Sequence, residues 1–102
     1  MSAAQKILIV DDDHDLRLAL SEQLRLHEEF AVSDAATGAE GMELAKSGKF
    51  DVVLLDVGLP DIDGREVCRL LRRAGVKSPI IMLTGQATDS DQILGLDSGA
   101  ND

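Results

Sequence analysis

Four short apolar runs recur along the chain, at residues 7–10, 30–33, 52–55 and 80–83, and the intervals between them carry apolar residues at helical spacing. The alternation predicts βαβαβαβ, an α/β domain whose parallel sheet is covered on both faces, because strands buried on both sides read as near-continuous apolar runs. Helix one is expected over residues 14–28, with Leu16, Ala19, Leu20 and Leu24 on one inward stripe and Arg17, Glu22 and Arg25 elsewhere. Leu18 falls off that stripe. Helix two opens at Thr37-Gly38-Ala39-Glu40, read as a capping box in which hydroxyl and carboxylate each satisfy an orphan backbone donor, and it ends at Gly48. Helix three is expected over residues 65–74, with Val67, Leu70, Leu71 and Ala74 inward and Arg65, Arg69, Arg72 and Arg73 toward water. Gly75 stops it. Pro79 leads into the fourth strand, and a fourth helix is expected from Thr88-Asp89-Ser90-Asp91 to Gly99, with Ile93 and Leu96 inward.

The 102 residues suffice for one domain with one small core, and no internal repeat, low-complexity tract or linker interrupts them. Apolar segments fall far short of the ~20 residues a spanning helix needs, and no signal peptide opens the chain, so a cytoplasmic protein without membrane contact is expected. A net charge of −9 argues against this segment gripping a phosphate backbone. The lone Cys68 reads as a packed core thiol, and His14 and His27 as surface residues.

Candidate chemistry concentrates where two apolar runs stop. Ile7-Leu8-Ile9-Val10 is followed by Asp11, Asp12 and Asp13, and Val52-Val53-Leu54-Leu55 delivers Asp56 to a loop rich in turn residues. In an open parallel sheet the carboxyl ends of the strands line the ligand crevice, so acids on neighbouring strands converge at one edge and call for a hard cation. One Cys and two scattered His do not make a zinc site. Asp13 and Asp15 are read as helix capping or surface, Asp61 as a turn former, and Asp63-Gly64 as shaping the entry to helix three.

Asp11-Asp12, the Asp56 loop with Leu59-Pro60-x-x-Asp63-Gly64, Leu83-Thr84-Gly85 and Gly99-Ala100-Asn101-Asp102 occur in an order and spacing that closely resembles the receiver domain of bacterial two-component response regulators. The resemblance runs the whole length of the chain. It implies a flavodoxin-like doubly wound sheet of strand order 2-1-3-4, and a domain over residues 1–102 that stops before a fifth strand and last helix. It further implies that Asp56 is the phosphoacceptor, served by a histidine kinase. Mg²⁺ would be held by Asp12 and Asp56, by Asp11 through water, and by the backbone carbonyl of Gly58, while Thr84 would be the switch hydroxyl. Gln86 would tune the lifetime of the phosphoryl group.

The stretch from Ile93 to Asp102 looks most like the OmpR/PhoB branch, which implies dimers formed through the fourth-helix side with Asp97 and Asp102 in contact. DNA binding would belong to an effector domain outside this chain, and the exposed fourth strand implies self-association. Two other classes are weighed: a stand-alone receiver working by protein–protein contact, and an Mg²⁺-dependent aspartyl phosphohydrolase. The second is disfavoured because Asp56-Val57-Gly58 lacks the further acid two residues on that such enzymes use.

Overall fold

The computed structural model describes residues 4–83. The elements run β1 (Gln5–Val10), α1 (His14–Arg25), β2 (Phe30–Ala35), α2 (Gly38–Ser47), β3 (Val52–Asp56), α3 (Gly64–Arg73) and β4 (Ile80–Leu83). All pairings are parallel, in the order β2-β1-β3-β4. The α/β class and strand order expected from the sequence are therefore observed. The expected fourth helix, with Ile93, Leu96, Asp97 and Gly99, lies outside the described residues, as do Thr84, Gln86 and Asp102.

Strand alternation divides the core into two layers. Leu8, Val10, Val53, Leu55, Ile80 and Met82 join Ala45 of α2 and Val67, Cys68 and Leu71 of α3 in one buried cluster. Cys68 is fully buried there, as the packed-thiol reading expects. Of the four residues expected inward on α3, Val67 and Leu71 join the cluster with Cys68 between them, while Leu70 is half-buried outside it and Ala74 is not part of it. Ala74 instead caps the helix and is exposed, because the chain turns away at Gly75, whose φ of 92° is the left-handed conformation glycine tolerates.

The opposite layer is formed by α1, and its register differs from expectation. Leu16 and Leu18 are 43% and 46% exposed and Ala19 is exposed, whereas Ser21 is buried and Arg17, Leu20 and Leu24 are half-buried. The inward stripe is thus 17, 20, 21 and 24, turned from the apolar stripe because polar contacts fix it. Ser21 Oγ lies 3.5 Å from Asp34 Oδ2 and Arg17 Nε 3.5 Å from Asp34 Oδ1, both to the end of β2. The helix stops at Arg25, three residues early, because residues 26–29 form the turn into β2, closed by the Phe30 N–H to His27 carbonyl bond at 3.1 Å.

At α2 the cap is only partly the expected box. Thr37 Oγ1 accepts from the Glu40 N–H at 3.1 Å, but Glu40 Oε1 accepts from Ala36 N–H, at 3.4 Å, rather than from that of Thr37. Gly48 ends the helix as expected.

Candidate functional site

Val10 and Leu55 are register partners, so Asp11 and Asp56, the residues that follow them, leave the sheet side by side at its carboxyl edge. The Asp11 N–H continues the β1–β2 ladder onto the Ala35 carbonyl at 3.1 Å, and the Val57 N–H bonds the Leu83 carbonyl at 3.0 Å, which fixes both strand ends. One carboxylate oxygen from each of Asp11, Asp12 and Asp56 lies within 4.8 Å of the other two. Asp11 and Asp56 are only 3% and 8% exposed, while Asp12 faces water.

Burial raises the Asp11 carboxyl above the usual range, and the Asp12 and Asp13 charges add to the effect against the Asp13 N–H and Arg17. Asp56 is pushed up to about 6, first by burial and then by the charges of Asp11 and Asp12, against an opposing bond from the Gly58 N–H. Converging carboxylates, two of them buried and held above the usual range, form a site a cation stabilises. The donor set is all hard oxygen, with Cys68 sealed in the core and both histidines exposed away from the core. That chemistry fits a hard divalent ion of the Mg²⁺ class and not zinc.

The neighbouring acids have other tasks. Asp13 is the N-cap of α1, its Oδ1 accepting from the Leu16 N–H at 3.1 Å, and its own N–H donates to Asp11 Oδ1 at 2.9 Å. Asp63 caps α3 through the Arg65 N–H at 2.7 Å. Asp61, expected to be a simple turn former, instead accepts from the backbone of α2, 23 residues earlier.

Two glycines flank Asp56 with different constraints. A Cβ on Gly64 would sit 2.3 Å from the Asp56 carbonyl oxygen and 2.8 Å from Val57 Cα, so the start of α3 packs directly on the phosphoacceptor-candidate strand end. A Cβ on Gly58 would meet nothing within 4 Å among the described residues, so none of those demands a glycine there on steric grounds.

Arg17 is the residue that sequence reasoning missed, having been placed away from the core. Its Nη1 donates to the Asp11 carbonyl at 2.6 Å while its Nε pairs with Asp34, tying the acidic turn to β2. A readable signal existed: a cation in the first turns of a helix opposes the helix dipole and needs a local reason.

The chain matches the response regulator receiver domain family over residues 7–102. It belongs to that family. The transcriptional regulatory protein AfsQ1 of Streptomyces coelicolor is 43% identical over 96 residues, which covers 94% of this chain and 42% of AfsQ1. The chain thus spans about two fifths of the length of the curated relatives it matches. Among solved structures, the response regulator TrrA of Thermotoga maritima, in complex with Mg²⁺ and BeF, superposes with a TM-score of 0.77 at 34% identity, covering 96% of this chain and 82% of TrrA. DrrB of Thermotoga maritima, an OmpR/PhoB homologue, does so with a TM-score of 0.69 at 34% identity, covering 86% of this chain and 39% of DrrB.

This receiver domain is a signalling module of the response regulators of two-component systems. No helix among the described residues is long and apolar enough to cross a membrane.

Proposed function

We propose that this receiver takes a phosphoryl group on Asp56, with Mg²⁺ held by Asp11, Asp12 and Asp56 and by the Gly58 carbonyl, and that Thr84 reads the modified state. The observation that carries the reading is the convergence of three carboxylate oxygens within 4.8 Å around a buried acid at a strand end. In transfer from a kinase phosphohistidine, an Asp56 carboxylate oxygen forms the new O–P bond as the N–P bond breaks, and the electron pair of that bond stays with the imidazole. Phosphoryl transfer rests mostly on positioning and charge stabilisation.

Asp56 supplies the nucleophilic oxygen, and the β3 ladder with the Gly58 N–H aims it. Asp11 and Asp12 would hold the metal together with Asp56, and Arg17 fixes the turn from which both acids project. Mg²⁺, when bound, neutralises the carboxylates and the incoming phosphoryl oxygens. AfsQ1, described as a transcriptional regulatory protein, supports a transcriptional output. DNA contact would lie in an effector domain outside this chain, with dimers formed through the fourth-helix side. A cytoplasmic setting belongs to the same proposal.

The test is an Mg²⁺ titration followed by backbone NMR shifts. Saturable shifts centred on residues 11–13 and 56–58, lost in Asp12→Asn, are expected. Shifts scattered over surface acids such as Glu43 and Asp51, unaffected by that substitution, would overturn the reading.

A further inference from the structure

The loop that carries Gly58 is fastened to a helix on which the metal site does not otherwise depend. Asp61 Oδ1 accepts from the Gly38 N–H at 2.9 Å and Oδ2 from the Ala39 N–H at 3.0 Å, so one carboxylate takes both leading donors of α2. Those two bonds also hold the Asp61 carboxyl below the ordinary range. The helix already has its own cap in Thr37, which serves Glu40, so Asp61 adds a tether to an end that is capped from within.

The approach is close enough to forbid a side chain on the helix. A Cβ at Gly38 would lie 2.2 Å from Ile62 Cγ2 and 3.3 Å from Asp61 Oδ1. Ile62 packs against the core and Leu59 is part of it, while the Gly64 N–H bonds back to the Val57 carbonyl at 2.8 Å. The segment containing Gly58 is therefore held at its core side, at its closing bond and, through Asp61, at α2.

We propose that Asp61 is a positioning residue, which tethers the Asp56–Asp63 loop to the first turn of α2 and thereby sets the place of the Gly58 backbone at the metal site. The proposal rests on the phosphoacceptor reading for its consequence, though not for the tether itself. Linkage then requires that metal bound at the loop also tightens the Asp61 contacts with α2.

The test compares Asp61→Ala, Asp61→Asn and Thr37→Ala in the full chain, by 15N relaxation without metal and by Mg²⁺ titration. Asp61→Ala is expected to lower order parameters at residues 58–62 from the rigid value of about 0.85 to below about 0.6, and to weaken Mg²⁺ binding several-fold. Asp61→Asn, which keeps one acceptor oxygen, should fall between. Thr37→Ala, which weakens the same helix end without freeing the loop, should leave both readouts at the loop unchanged. Equal effects of Asp61→Ala and Thr37→Ala, or an unchanged loop in Asp61→Ala, would overturn the tether. Absence of Mg²⁺ binding by the unsubstituted chain would instead defeat the phosphoacceptor reading, and the relaxation data would still decide the tether.

Discussion

Burial beside two carboxylates gives Asp56 a pKa of about 6, against 3.8 for an unhindered aspartate, and this has a signed consequence for stability. The folded state holds the Asp56 proton more tightly than the unfolded chain, so ionisation costs stability progressively as pH rises from about 4 through 6, and the cost is complete above 6. Without metal, Asp56→Asn is therefore expected to be more stable than the unsubstituted chain at pH 7.5, by about 1–3 kcal/mol, with the difference vanishing below about pH 4. Urea midpoints at the two pH values check this, and equal stability at pH 7.5 would contradict it. The adjacent glycines give a second contrast. Gly64→Ala forces a Cβ against the Asp56 carbonyl and is expected to cost about 1–3 kcal/mol, whereas Gly58→Ala, whose Cβ meets no described residue within 4 Å, should be nearly neutral. Arg17→Ala removes the 2.6 Å bond to the Asp11 carbonyl and should weaken Mg²⁺ binding even though the guanidinium lies outside the carboxylate cluster.

At the scale of elements, α1 and α3 respond differently to the same substitution. Leu71 on α3 is buried in the main cluster, so Leu71→Ala is expected to cost about 2–5 kcal/mol. Leu18→Ala on α1, at a side chain 46% exposed, should stay within about 0.5 kcal/mol. Denaturant midpoints of the two variants separate the layers directly. The same contrast explains what was legible in the chain. The four strands and three helices were readable because apolar runs and turn residues alternate without ambiguity, and the acids at Asp11, Asp12 and Asp56 were readable because each follows such a run. The face of α1 was not, since two of its inward positions are the polar Arg17 and Ser21, whose partner Asp34 is distant in sequence. Asp61 was misread for the same reason: its partners on α2 are 23 and 22 residues away, and a turn-forming aspartate looks identical locally.

At the scale of the whole molecule, the sheet's two edges differ in charge among the described residues. Among the described residues, Asp11, Asp12 and Asp56 stand at the carboxyl edge of the sheet, while Lys46, Lys49 and Lys77, with Asp51 among them, line a groove of about 600 Å³ at the opposite edge, where α2 and α3 end. Lys46, in the last turn of α2, complements that helix's dipole. With a net charge of −9, the field draws divalent cations toward the acidic edge, so Mg²⁺ affinity is expected to fall as salt rises from 0.05 to about 0.5 M. A titration at both ionic strengths tests this, and a salt-independent affinity would contradict it. The central claim is that the acidic edge is a phosphoacceptor centred on Asp56. Its most direct test is the intact mass and peptide map of this chain after incubation with Mg²⁺ and a small acyl-phosphate donor, beside Asp56→Asn and an Mg²⁺-free control. One phosphoryl group is expected, mapped to the Asp56 peptide and absent from both controls. A phosphoryl group that persists in Asp56→Asn, or none in the unsubstituted chain while its Asp11–Asp12–Asp56 cluster binds Mg²⁺, would contradict the account.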